Sequence, residues 1–434
     1  MGPGGMVVET SPVTGTNEAD HPVGDSQDQS QGEALLGTLV DRAHMLPPSL
    51  IAPLVAREVG QLGGRDVTVY LQDFDQVLLR PLPGRELLVG DPVDIDTSPA
   101  GQAFTTDEVV VEELTAGSRL HLPMLDGSDR VGVMSVTVEK VDDTVLRLAR
   151  RLAGLVADLL VTKGSYTDQF FLARRSKPMT LSAQMQWHLL PPLTMTTPQV
   201  AVGAVLEPAY DVGGDSFDYA LNDGADGQVL HLAVLDAMGH GLNAAVMVTL
   251  AVHAYRNARR DQTDLADLYA AMDEAIRAQF GAGGLVTAQM AELTLETGVL
   301  RWVNAGHPLP LLVRRGKVER ALASPPTMPV GIGGRTPVVS TVQLEPGDRV
   351  LFSTDGVVEE RMEPGRPERF GQARFEDLAG QVMSRRLSVQ ESVRRLSHAL
   401  MDARSGRTTD DTSLVLVEWT SPDPGDLADL LKTP

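Results

Sequence analysis

"EPAYDVGGDSFDYAL", residues 207–221, sets an aspartate directly after two glycines, with an acidic and aromatic run behind it. Paired glycines allow a sharp turn in which backbone comes close to a neighbour. Such a turn is either a solvated loop or a device that aims the Asp215 carboxylate at a cation. The stretch decides between these only through its company. Asp236 ends the apolar run "LHLAVLD" ahead of "AMGHG". Asp355 follows "LFST" and precedes Gly356, and Asp410 precedes Asp411 at the mouth of "TSLVLV". Each of the four lies where a predicted strand meets a turn, and rigid strand ends can hold side chains at one point. Carboxylates gathered without Lys or Arg repel one another, so together they require a cation. Oxygen donors of this kind suit Mg2+ or Mn2+.

Composition narrows the class. A length of 434 residues is the size of two domains with connectors. The 58 acidic against 37 basic residues, a net charge of -21, exclude a nucleic-acid partner and argue against an anionic membrane surface. With no cysteine there are no disulfides, thiolate nucleophiles or Cys-zinc sites. No apolar run reaches the roughly 18 residues a membrane helix needs. No Lys or Arg precedes Arg42, so the basic start of a signal peptide is missing and a cytoplasmic location is expected.

Along the chain, residues 1–33 read as a disordered acidic tail, too poor in apolar side chains to offset ordering entropy. Residues 34–163 read as a small α/β unit. It has helices around 34–45 and 48–62, the alternating strand "DVTVYLQD", and two strands in "RLHLPMLDGSDRVGVMSVTVE" around the turn "DGSD". A helix follows from about Asp143. In it Val145, Leu148, Leu152, Leu155 and Leu159 recur at heptad spacing, which favours a homodimer through paired helices, with an ordinary core face as the alternative. Residues 164–195 read as a helical linker. There Leu181, Met185 and Leu189 share a face, and Pro191 and Pro192 stop the helix. Residues 196–420 alternate strands with long helices, which predicts packed sheets flanked by helices, and 421–434 form a tail.

Two resemblances follow from these motifs. The element order of 34–163, with "LPML…RVGVMSV", resembles a GAF domain, a sensor module whose ligand here is unknown. The ordered set "PAYDVGGDSFDY", "VLDAMGHGLNAAVM", "WVNAGHPLPLLV", "LFSTDGVVEER" and "DDTSLVLV" resembles SpoIIE/RsbU-type, metal-dependent (type 2C, PPM) serine/threonine phosphatases, and "AQMQWHLLPP" is similar to the helix that precedes their catalytic domain. The GG[DE]EF string of diguanylate cyclases is a superficial parallel, because Ser216 stands where that motif needs Glu.

The phosphatase resemblance implies an α+β fold: an αββα sandwich preceded by a GAF-like α/β domain and a helical linker. It implies two divalent cations, Mn2+ or Mg2+, bridged by Asp215 and Asp236, which serve water activation. The backbone carbonyl of Ala237 adds a donor. Asp355 and Asp410 complete the second cation's shell, Asp410 being preferred to Asp411 as the first residue of its string. Gly213, Gly214, Gly239, Gly241 and Gly356 support the turns. His240 either protonates the leaving group or merely forms its turn. Asn304, Gly306 and His307 form scaffolding, with His307 satisfied by backbone. Arg361 is the arginine nearest Asp355 in sequence. The implied substrate is a phosphorylated STAS-type anti-anti-sigma protein, in sigma-factor signalling. The rivals are a non-catalytic phosphoprotein-binding regulator and a phosphatase of small phosphoesters.

Overall fold

The computed structural model describes residues 45–61, 63–211, 213–334, 336–359, 369–404 and 410–423. The expected tail over 1–33, almost all of the helix over 34–45, Arg361 and most of 421–434 lie outside them.

The amino-terminal unit starts with a 3-10 turn and α1 (Ile51–Gln61). Its single antiparallel sheet contains β1 (Gly64–Gln72), β2 (Leu78–Pro81) and β3 (Val93–Asp94), then, after α2 (Pro99–Thr106), β4 (Val110–Glu113), β5 (Ser118–Asp126) and β6 (Asp129–Val138). The spatial order is β3-β2-β1-β6-β5-β4. The "DGSD" turn is a hairpin, with Asp126 opposite Asp129. The short strands β2, β3 and β4 and helix α2 were not foreseen.

Helix α3 (Asp143–Gly164) begins where the Asp142 side chain accepts the Val145 N–H, an ordinary N-cap. Its heptad face is not free for a partner. Leu148, Leu152 and Leu159 are buried in the unit's own core with Val69, Leu120 and Val136. Val145 and Leu155 are partly buried against the same core, so the alternative reading of that spacing, a core face, is the one these residues serve within the chain.

Two short helices connect the units, α4 (Gln169–Arg174) and α5 (Leu181–Leu189). The face predicted for α5 is also corrected. Leu181 is exposed, and Ser182, Ala183, Gln186 and Leu189 are buried. Gln186 is drawn inward because its side chain donates to the Gly213 carbonyl at 3.1 Å. Trp187 donates to Ala209 O at 2.7 Å and packs on Phe74.

The carboxy-terminal unit opens with β7 (Thr194–Thr196), β8 (Val200–Glu207), β9 (Asp215–Gly224) and β10 (Gly227–Ala237), followed by α6 (Leu242–Arg260) and α7 (Leu265–Phe280). Then come β11 (Val286–Thr294), β12 (Val299–Ala305), β13 (Leu311–Arg314), β14 (Lys317–Ala321), β15 (Ser340–Gln343) and β16 (Asp348–Ser353). It closes with α8 (Gly356–Glu359), α9 (Gln372–Met383), α10 (Val389–Ala403) and β17 (Thr412–Trp419). The strands form two sheets, ordered β15-β12-β11-β10-β9 and β14-β13-β16-β17-β8-β7.

Side-chain alternation explains the layering. On β10, Leu230, Leu232 and Val234 point between the sheets, towards Val202, Phe352 and Val415. Ala233, Leu235 and Ala237 point outward, under α6 and α7. On β17, Val415 and Val417 face the other sheet, and Leu414 and Leu416 lie under α9 and α10. Strands apolar on both faces need cover on both faces, and the result is the expected αββα sandwich. The two units touch where Thr194 donates to Asp129 at 2.9 Å and where Arg394 on α10 pairs with Asp96 and donates to Gln76 O.

Candidate active site

Register brings the first two aspartates together. In the antiparallel pair β9–β10, Asp215 sits directly opposite Asp236, and opposed residues share a face. The third and fourth arrive from the other sheet, Asp355 just beyond β16 and Asp410 just before β17. The two sheets are tied at this point by Thr354, whose hydroxyl donates to Asp215 Oδ2 at 2.7 Å and accepts the Ser413 N–H at 2.8 Å.

The turns interlock so tightly that Gly213, Gly214 and Gly356 have no room for a Cβ; one on Gly213 would stand 2.4 Å from the Gly241 backbone nitrogen. A Cβ on Gly214 would stand 2.7 Å from the Ala237 carbonyl oxygen and 3.2 Å from Asp236 Oδ1. A Cβ on Gly356 would stand 1.8 Å from the Asp411 carbonyl oxygen. Ala237 N–H in turn donates to Gly214 O. Asp411 has a different position from Asp410: its Oδ2 accepts the N–H groups of both Gly213 and Gly214 at 2.7 Å. It fastens the glycine turn, while Asp410 is exposed.

Electrostatics identify the need of this cluster. Burial pushes the Asp236 carboxyl up to about 8, with the charges of Asp355, Asp410 and Asp411 adding to it. Burial also raises Asp215 well above the usual range, reinforced by Asp236 and Asp411. Asp236 and Asp355 are within hydrogen-bond contact of each other. Two carboxyl groups in contact hold a proton or a cation between them. Among the described residues, no three acidic or imidazole side chains yet converge on one point, and mutual repulsion is the physical reason for gathered carboxylates to stand apart. The donor set of hard oxygens, buried and like-charged, fits a divalent cation.

The remaining expectations divide. His240, flanked by Gly239 and Gly241 at positive φ, is exposed beside the site. Asn304 and His307 exchange hydrogen bonds, Asn304 Nδ2 to His307 O and His307 N–H to Asn304 Oδ1, both at 2.7 Å, around Gly306 at positive φ. The His307 ring, however, is not satisfied by backbone. Its Nδ1 meets the Thr287 hydroxyl at 2.8 Å, and Thr287 is the register partner of Asp236. Burial lowers this imidazole to about 3, so it is neutral.

Sequence reasoning missed Thr354, although it lies inside "LFSTDG", and missed Arg404. The buried Arg404 guanidinium donates to Val357 O at 2.6 Å behind Asp355, and no motif marks it.

Carboxylates from both sheets gather at this rim of the αββα sandwich, a hard-oxygen donor set that suits a divalent cation. Residues 226–420 match the family model of Stage II sporulation protein E (SpoIIE). The match falls wholly within this carboxy-terminal unit, which is therefore similar to SpoIIE-type domains. The match includes Asp236, Asp355, Asp410 and Asp411 and begins after Asp215. PP2C-type phosphatases use two Mn2+ or Mg2+ ions.

The chain is similar to the RsbU and RsbW domains of Rv1364c from Mycobacterium tuberculosis, at 29% identity over 52% of this chain and 63% of that one, TM-score 0.45. It is similar to the PP2C phosphatase domain, with a fragment of the regulatory domain, of SpoIIE from Bacillus subtilis, at 20% identity over 51% and 64%, TM-score 0.43. It is also similar to the SiaA PP2C domain of Pseudomonas aeruginosa, at 22% identity over 55% and 94%, TM-score 0.46. The first two matches span less than two thirds of those chains. No helix among the described residues is long and apolar enough to cross a membrane.

Proposed function

We propose that this chain removes phosphate from phosphoserine or phosphothreonine on a STAS-type anti-anti-sigma protein, under control of its GAF-like amino-terminal unit. The observation that carries the catalytic part is the contact between the half-buried Asp236 and Asp355 carboxyls, beside the buried Asp215, whose surroundings include the further carboxylates Asp236 and Asp411. The partner class rests on the kinship of the SpoIIE domain and on likeness to a protein that couples RsbU and RsbW domains.

In this reading Asp215, Asp236, the Ala237 carbonyl, Asp355 and Asp410 would hold the two cations. When bound, the ion pair supplies Lewis acidity, acidifying water and offsetting charge on the phosphoryl oxygens. The protein's own part is positioning. Thr354 orients the Asp215 carboxylate through its hydroxyl. Asp411 holds the Gly213–Gly214 turn from the side, leaving Asp410 for the cation. Gly214 keeps the Asp236 carboxylate and the Ala237 carbonyl within reach of the same point. Exposed His240 is available to protonate the departing serine oxygen.

The test is phosphate release from a phosphorylated STAS-domain protein with Mn2+, with Mg2+ and with EDTA, beside Asp236→Asn. Release that needs metal and vanishes in the variant is expected. Tight binding of the phosphoprotein without release would favour the regulator reading, and faster turnover of small phosphoesters would overturn the protein substrate.

A further inference from the structure

A cavity of about 430 Å3 lies between the two units, away from the aspartate cluster. Ligand pockets run from roughly 300 to 1,000 Å3. Its walls come from β1 and β6, from α3 and α4, and from the segment leading α5 into β7. Phe171, Trp187, Pro191 and Pro192 supply flat apolar faces, and Arg174 and Asp129 supply charge.

The two arginines of this cavity are used differently. Arg130 is committed: its Nε and Nη2 grip both oxygens of Asp107 at 2.8 Å, and Nη2 also donates to Thr105 O. Arg174 donates only through Nε, to Gln72 O at 2.8 Å, while its guanidinium lies 4.4 Å over the Phe74 ring. Among the described residues no carboxylate stands within ion-pair distance of it, so its Nη hydrogens have no acceptor. A partly buried guanidinium ordinarily holds a planar anion with that edge. Asp129 offers the complement. Its Oδ1 accepts from Thr194, the Arg130 backbone N–H lies against the same carboxylate, and no Lys or Arg side chain forms an ion pair with it among the described residues.

We propose that this cavity binds a small aromatic anion: a planar ring that carries a carboxylate for Arg174 and a hydrogen-bond donor for Asp129. The ring lies against the faces of Phe171 and Trp187, where flat apolar surface favours stacking. In a chain of net charge -21, the Arg174 guanidinium is the element of the cavity that makes an anion welcome. Burial lowers Arg174 and raises Asp129, and the attraction of each charge for the other opposes both shifts only in part. The site stands independently of what the carboxy-terminal unit hydrolyses.

Calorimetry on the full chain tests this with 4-aminobenzoate as probe and the neutral 4-aminobenzamide as control. The benzoate is expected to bind at least about tenfold more tightly than the amide. Arg174→Met should weaken benzoate binding by at least about tenfold. Val161→Phe, an exposed position at the cavity's edge that leaves Arg174 intact, should do the same without changing the melting temperature. If Arg174→Met fails to fold, Val161→Phe decides. Absence of benzoate binding to the native chain at millimolar concentration, or equal affinity for acid and amide, overturns the proposal. Affinity unchanged in the variants overturns it too.

Discussion

Asp215 and Asp218 are three residues apart on β9, each 1% exposed, yet the protein treats them in opposite ways. The odd spacing turns them to opposite faces of the strand. Asp218 faces α6 and is gripped by Arg256 and Arg259 at 2.7 Å. Asp215 faces the other sheet and meets a threonine hydroxyl and further carboxylates. A buried carboxylate with built-in cations is a structural pin. One left among its own kind is prepared for a cation from outside. The string "DSFDY" contains one of each, which shows why residue type and burial alone do not separate the two roles.

The comparison can be broken most sharply at the active face. Asp236→Asn should cut metal-dependent phosphate release on the order of 1000-fold, the scale of losing a main electrostatic stabiliser, with the circular dichroism spectrum preserved. Asp218→Asn should do the reverse. It strands two arginine charges and should cost about 3–5 kcal/mol in a denaturant titration, while any molecules still folded keep their metal affinity. Thr354→Val probes the joint between the faces. It removes the hydroxyl from Asp215 and from the Ser413 N–H, so about 1–3 kcal/mol of stability and about 10–100-fold in Mn2+ affinity should go together.

The smallest effect is in pH dependence. Asp236 titrates near 8 in the fold against about 3.9 unfolded. Its folded pKa is raised, so the native state holds the proton longer and the metal-free protein loses stability as pH rises from about 4 to about 8. In EDTA, melting curves of Asp236→Asn and the native chain should therefore diverge with rising pH, the variant being more stable by a few degrees at pH 8. Saturating Mn2+ should reverse the order. Parallel curves would mean that Asp236 feels no excess of negative charge.

Much of this arrangement was legible in the chain. Strands apolar on both faces, such as β10, β16 and β17, stand out as runs, and their ends marked Asp236, Asp355 and Asp410. Strand β9 did not, because "DSFDYALNDG" is too polar to read as buried. It becomes a strand only because Asp218 finds arginines on α6, some 40 residues away in sequence. The heptad spacing in α3 was ambiguous for a related reason. A stripe that can zip to a second helix can equally cover a sheet, and spacing does not record which surface arrives. The ring partner of His307 and the role of Thr354 depend on register between strands, which no local pattern encodes.

The Thr354 joint has a consequence in time. It links Asp215 to β16 and to Ser413 at the start of β17, the last strand among the described residues. Strand β17 lies between β8 and β16, so the six-stranded sheet is incomplete at its centre until that strand arrives. A ribosome-bound chain thus carries Asp215 and Asp236 long before Asp410 can join them. On the proposed reading, a complete cation site requires β17 to have closed the centre of this sheet.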